Sequence, residues 1–290
     1  MFSGSYVALV TPFANNEVDE AALRKMVGWH IEQGTHGLVP VGTTGESPTL
    51  AEAEHHRVVE IVVAEANGRV PVIAGAGSNN TAEAVGYTRH AHKVGANATL
   101  HVAGYYNRPS QAGLYAHFEA VNNASELPII VYNIPPRAVV DISVETMAKL
   151  AALEHIVGVK DATCDLGRPA RERLAIGDDF CWLSGEDATA VAYNAAGGQG
   201  CISVTANVAP ALCSQMQSAC LDGDFRGAID IQQRLLPLHD ALFREPSPAG
   251  AKYAASLLGL CAPDCRLPVV PLSDGVRQEI EAAMRGLNLI

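Results

Sequence analysis

The sequence predicts a parallel (β/α)8 barrel, a TIM barrel, with additional C-terminal helices. Three observations carry that expectation. Eight short apolar runs recur roughly every 25–35 residues, the spacing of strand-plus-helix units. Stretches with helical periodicity alternate with them. The first run leads into Thr11-Pro12-Phe13 and not into a glycine-rich phosphate turn, which disfavours the rival doubly wound sheet. With 290 residues, 48% of them hydrophobic, the chain can bury one large core.

The strands are expected at 6–10, 37–41, 71–76, 98–103, 128–132, 156–160, 180–184 and 200–204. Continuous apolar, β-branched runs of this length suit strands buried on both faces. Helices are expected at 19–33, 49–66, 81–94, 144–153 and 189–196. Thr49 and Glu52 have the spacing of a capping box, and Thr81 supplies half of one. Past the eighth strand, 210–222, 225–243, 249–258 and 274–287 read as helices, more than closing the barrel requires. The expected division is a barrel over 1–225, carrying the catalytic site, and a helical region over 226–290 packed on it.

Charge and composition narrow the function. The net charge is −11 with no Lys/Arg run, so nucleic acid and anionic membrane are not expected partners. The first residues lack a basic, then apolar, leader pattern, and no apolar run reaches about 18 residues, so a cytoplasmic location is expected. Seven scattered cysteines, an odd number without Cys-x-x-Cys, suit free thiols in a reducing compartment. The ten histidines show no ligand spacing, and adjacent His55-His56 would face different ways on a helix, so no metal is expected. Neither a Gly-x-Ser-x-Gly elbow nor a dinucleotide fingerprint occurs.

In a barrel the C-terminal strand ends form the active-site face. Lys160 ends the sixth run, placing an amine where desolvation favours the free base, the nucleophile in imine chemistry. A lysine simply emerging into solvent is the bland alternative. Gly42-Thr43-Thr44-Gly45 either offers backbone N–H groups and hydroxyls to a carboxylate or phosphate, or caps the next helix. Tyr132 is either a general acid/base or a half-buried aromatic. Arg137 either clamps a carboxylate or lies on the surface of a proline-rich loop. Tyr105-Tyr106 is either a stacking patch or an interface wedge. An amine, a phenol, an anion loop and an arginine at strand mouths suit carbonyl chemistry through an imine on an oxoacid.

Five motifs give the sequence a family resemblance: Gly42-Thr43-Thr44-Gly45-Glu46-Ser47, Tyr105-Tyr106-Asn107-Arg108-Pro109, Tyr132-Asn133-Ile134-Pro135, Gly158-Val159-Lys160-Asp161-Ala162-Thr163 and Ile202-Ser203-Val204-Thr205-Ala206-Asn207. Over essentially its whole length the chain resembles the dihydrodipicolinate synthases, pyruvate-dependent Schiff-base aldolases and lyases. The resemblance implies a lyase of diaminopimelate and lysine biosynthesis, condensing pyruvate with L-aspartate 4-semialdehyde. Lys160 would carry pyruvate as the imine, with no metal or organic cofactor. Thr44, with Thr43, would hold the pyruvate carboxylate. Tyr132 would shuttle protons, linked through Thr43 to Tyr106 from a neighbouring subunit. Arg137 would bind the semialdehyde carboxylate, and Gly185 and the Ile202 carbonyl would line the pocket. A homotetramer, built as a dimer of dimers, is implied.

Feedback inhibition by lysine is also implied, at Ser47, Pro48, Glu52, His55, Asn79, Glu83 and Tyr105. The runner-up is a related aldolase acting on a sugar-derived 2-oxoacid, of the N-acetylneuraminate lyase or 2-keto-3-deoxygluconate aldolase type. A non-catalytic oxoacid-binding barrel is the third reading. Two departures from the family pattern stand out. Ala103-Gly104 replaces Thr-Pro, which is expected to loosen the backbone aiming Tyr106. Pro136 replaces Gly or Ser and fixes φ ahead of Arg137.

Overall fold

The structure, a computed structural model, describes residues 2–290. The barrel strands are β1 (Gly4–Ala8), β2 (Gly37–Val39), β3 (Ile73–Gly75), β4 (Ala98–Val102), β5 (Ile129–Asn133), β6 (Ile156–Asp161), β7 (Cys181–Ser184) and β8 (Gly200–Ser203). They form one parallel sheet in the order β2-β1-β8-β7-β6-β5-β4-β3. Its ends meet through a parallel bridge between Leu38 and Val72. Leu38 N donates to Pro71 O and Gly75 N to Pro40 O, both at 3.0 Å, and the sheet becomes a barrel. All eight expected runs are strands. The first begins and ends two residues earlier than expected, because Val10 N leaves the ladder for Asn207 Oδ1 at 3.0 Å.

Each strand is followed by a helix: α1 (Glu20–Glu32), α2 (Glu52–Ala66), α3 (Thr81–Lys93), α4 (Gln111–Asn122), α5 (Val144–Ala151), α6 (Arg168–Ile176), α7 (Ala190–Ala195) and α8 (Pro210–Leu221). Three more follow, α9 (Phe225–Leu242), α10 (Ala249–Leu257) and α11 (Asp274–Gly286). Their buried residues, among them Leu235, Leu238, Ile280 and Met284, share one apolar cluster with Val7, Leu9 and Ala206 of the barrel.

Two capping expectations need correction. Thr49 does not cap α2; it lies in a 3-10 turn, Ser47–Thr49, and its hydroxyl donates to Glu46 O at 3.1 Å. The helix starts later, with Ala51 N donating to Glu54 Oε2 at 2.9 Å. Thr81 does not cap α3 either. Asn80 does, its side chain accepting from Ala82 N at 3.1 Å, while the Thr81 hydroxyl pairs with His117 Nδ1 at 2.9 Å.

Helices α4 and α6 are additional to those expected. The buried face of α6 carries Arg168 and Glu172, paired at 2.8 Å, so the helix has no apolar stripe to read. A small hairpin, Phe13–Ala14 with Glu17–Val18, was also unexpected; Asn15 and Asn16 at its tip both have positive φ, as a tight hairpin turn requires.

Two of the histidines are packing groups. His30 and His101 are fully buried, and burial pushes each imidazole down to about 3, so both are neutral core residues. All seven cysteines are free thiols. Among the described residues, no helix is long and apolar enough to cross a membrane.

Candidate active site

Strand alternation decides which side chains enter the barrel. On β5, Ile129 and Val131 pack outward against Leu114 and Phe118 of α4. Ile130 and Tyr132 belong instead to the interior cluster. Tyr132 stands in register with Lys160 on β6, so the two side chains leave neighbouring parallel strands on the same face. Lys160 Nζ lies 4.2 Å from the centroid of the Tyr132 ring, and the two residues are only 6% and 7% exposed. Lys160 is thus enclosed at the strand end; the solvent-exposed alternative does not hold.

Space for the lysine comes from a glycine. A Cβ on Gly185, just beyond β7, would stand 3.1 Å from Lys160 Cε and 2.9 Å from Ala162 Cβ. Asp161 follows Lys160 and is buried. Burial pushes its carboxyl up, while Oδ1 accepts from Thr163 N at 2.8 Å and tightens the strand exit.

A cavity of about 180 Å³ opens beside Tyr132; Lys160, Thr44, Gly185 and Ile202 are not among the residues that line it. Its wall brings together Thr43, Tyr132, Arg137 and Tyr105 from four loops and strands, and Ser47 and Pro48 line it too. The anion loop and the arginine therefore face the same space as the tyrosine. Thr44, next to Thr43, is buried. The loop is pinned from below, where Thr11 Oγ1 donates to Gly45 O at 2.7 Å.

Arg137 sits on a one-turn helix, Pro135–Ala138, that Val139 ends in the left-handed region. Pro135 and Pro136 occupy its first two positions, where a missing N–H costs nothing. The departure at Pro136 thus fits this turn and leaves Arg137 on the cavity wall.

Tyr106 is not brought into the cavity of its own chain. It is 90% exposed, with φ +68°. A tyrosine held there costs about 1–3 kcal/mol, so its surroundings must over-determine the turn. They do: Asn107 Nδ2 donates to Asn79 O at 2.8 Å, and Asn79 Nδ2 donates to Tyr105 O at 3.3 Å. Gly104 lies against Pro109: a Cβ on it would stand 2.9 Å from Pro109 Cγ.

The expected lysine-binding residues group around α2 and α3. The His55 ring stacks on Tyr87 with centroids 3.9 Å apart. Burial pushes His55 down to about 4, and His56 beside it acts in the same direction. Glu83 accepts a hydrogen bond from Ser78, and the charges of Glu83 and Glu52 both act on the Tyr87 phenol, after burial the main causes of its raised pKa. Asn79 and Tyr105 join this group through their hydrogen bond, and Tyr105 also lines the cavity.

Two buried ties next to the site were assigned no role from the sequence. Buried Asp187 accepts from Val204 N at 2.9 Å, Thr205 N at 3.1 Å and the Ser203 hydroxyl, fixing the turn just after Ile202. Glu46, named only as a motif residue, pairs with Lys252 of α10 at 2.7 Å. The readable signal was a lone lysine in the small-residue stretch Ala249-Gly250-Ala251-Lys252-Tyr253-Ala254-Ala255.

Such a barrel, with a lysine amine enclosed beside a phenol and an anion loop, belongs to the class of lyases that work through a lysine imine. Residues 1–287 match the dihydrodipicolinate synthetase family. The chain belongs to that family. It is 64% identical over 290 residues to the 4-hydroxy-tetrahydrodipicolinate synthase of Parvibaculum lavamentivorans, covering 100% of both chains. The dihydrodipicolinate synthase of Acinetobacter baumannii, solved in complex with pyruvate, superposes with a TM-score of 0.97 at 42% identity, covering 100% of both chains. The enzyme of Cyanidioschyzon merolae, solved with lysine bound, gives 0.96 at 37% identity, covering 100% of this chain and 99% of that one.

Proposed function

We infer that the chain condenses pyruvate with L-aspartate 4-semialdehyde, as a 4-hydroxy-tetrahydrodipicolinate synthase of diaminopimelate and lysine biosynthesis. The observation that carries this reading is the Lys160 amine enclosed against Tyr132, which lines one cavity together with Thr43 and Arg137.

In this scheme Lys160 Nζ attacks the pyruvate carbonyl, and one water leaves as the imine forms. The protonated imine is the electron sink, so a methyl proton departs and an enamine results. Thr43 and Thr44 hold the pyruvate carboxylate, with Gly185 and the Ile202 carbonyl lining the same pocket. The enamine carbon attacks the semialdehyde carbonyl, whose oxygen takes up a proton. The substrate amine then displaces Lys160 from the imine carbon, closing the ring. Tyr132 moves protons at both imine steps. Neither a metal nor an organic cofactor enters. Seven free cysteines suit a reducing compartment such as the cytoplasm.

Arg137 favours this scheme over a sugar-acid aldolase, because a guanidinium matches a carboxylate and a sugar chain asks for hydroxyl partners. A coupled assay with pyruvate and aspartate semialdehyde tests it directly. Turnover of a sugar-derived oxoacid without turnover of the semialdehyde contradicts it. Arg137→Ala is expected to raise KM for the semialdehyde roughly tenfold to a hundredfold, with a far smaller change for pyruvate. Equal losses for both substrates would remove Arg137 from its assigned role.

A homotetramer assembled as a dimer of dimers fits the exposed Tyr106, which would complete a neighbouring subunit's site. Lysine would bind where Ser47, Pro48, Glu52, His55, Asn79, Glu83 and Tyr105 meet, its ammonium groups met by carboxylates. Ser47, Pro48 and Tyr105 also wall the cavity, giving a direct route to the site. Activity is expected to fall as lysine reaches millimolar concentration. Unchanged activity would refute the inhibition, and sedimentation as a monomer in the same buffer would refute the shared interface.

A further inference from the structure

The loop carrying Thr43 and Thr44 is held from a distant part of the chain. Glu46 adopts φ +58°, and its N–H donates to Thr43 O at 3.1 Å, so its backbone closes the loop. Its side chain points away from solvent into a charged pair: Lys252 Nζ donates to Oε1 at 2.7 Å, with Lys252 0% and Glu46 3% exposed. The other oxygen, Oε2, accepts from Arg266 N at 2.9 Å. Arg266 in turn donates to Thr49 O at 2.8 Å and to Asn16 O at 2.6 Å, and pairs with Glu54. The Lys252 ammonium and the Arg266 guanidinium both lie over Phe13, 4.1 and 4.3 Å from its ring centroid.

Burying two charges is a poor way to gain stability, since desolvation cancels most of their attraction. What the pair supplies is position. Both carboxylate oxygens of Glu46 are fixed, so the left-handed residue that closes the loop has one setting.

We propose that Glu46 and Lys252 are positioning residues for pyruvate, a buried clasp through which α10 aims the Thr43-Thr44 loop at the substrate carboxylate. This rests on the assignment of Lys160 and of that loop to pyruvate. The helices after the barrel are then part of substrate binding and more than an appendage.

Borohydride trapping of the pyruvate adduct is titrated against pyruvate in the wild-type chain, in Lys252→Met, and in the double variant Glu46→Gln/Lys252→Met. Thermal unfolding and steady-state kinetics are run on the same samples. The double variant loses both charges together and leaves only a neutral amide N–H without a partner, so it is expected to melt below the wild type but well above Lys252→Met. It should nonetheless need roughly tenfold more pyruvate for half-maximal adduct, the cost of a misaimed carboxylate site. Its kcat at saturating pyruvate should stay within roughly twofold.

Lys252→Met strands one charge; if it folds, it should show the same pyruvate shift with a lower Tm. A folded double variant with wild-type half-saturation overturns the clasp, whatever becomes of Lys252→Met. So does a double variant that cannot fold, which would make the pair a folding element only. Failure of the wild type to trap pyruvate overturns the imine reading and the clasp together. Normal trapping with no shift in the double variant overturns the clasp alone.

Discussion

Lys160→Ala is expected to lower turnover by at least about 10³-fold, since no other group in the site can carry the imine. The fold should survive. Lys160 is held in the sheet by backbone pairing to Tyr132 and Leu183, and neither ladder depends on its side chain. Shortening the side chain leaves a local void where Lys160 Cε now packs over Gly185, and it removes no ladder hydrogen bond. The coupled assay measures the loss, and circular dichroism checks the fold. A folded Lys160→Ala protein with more than a small fraction of wild-type activity would show that catalysis runs through another residue.

Tyr132→Phe is the second large effect. The phenylalanine ring keeps the aromatic face 4.2 Å from Lys160 Nζ, so the packing that places the lysine is preserved. Only the hydroxyl is lost, and with it the proton transfer at imine formation and at release. Turnover should fall roughly 10²–10³-fold, the usual worth of a general acid/base. Pyruvate should still form its adduct on Lys160, more slowly. Unchanged kcat would return Tyr132 to the role of a packing aromatic.

The sequence made the barrel readable because its signal is periodic. Apolar runs such as 128–132 and 156–160 are long enough to mark buried strands, and every one of the eight became one. Strand ends then named Lys160, Tyr132, Thr43 and Arg137 without any three-dimensional information. Local signals were less dependable. Thr49 had the right spacing for a cap, but Pro48 set up a separate 3-10 turn and moved the helix start to Glu52. Arg168 and Glu172 hid α6 by burying an ion pair where an apolar stripe was sought. The clasp was beyond reach for a different reason: Glu46 and Lys252 lie 206 residues apart, and nothing local to either predicts the other. Tyr106 fell between these cases. Its motif was legible, but its 90% exposure shows that one chain alone does not bring it to the cavity.

The central claim is that Lys160 binds pyruvate covalently. Incubation with pyruvate, reduction with borohydride and peptide mapping by mass spectrometry tests it most directly. The predicted result is one modified lysine, Lys160, carrying a single reduced pyruvate, with no adduct in Lys160→Ala. An unmodified Lys160, or an adduct confined to another lysine, would contradict it.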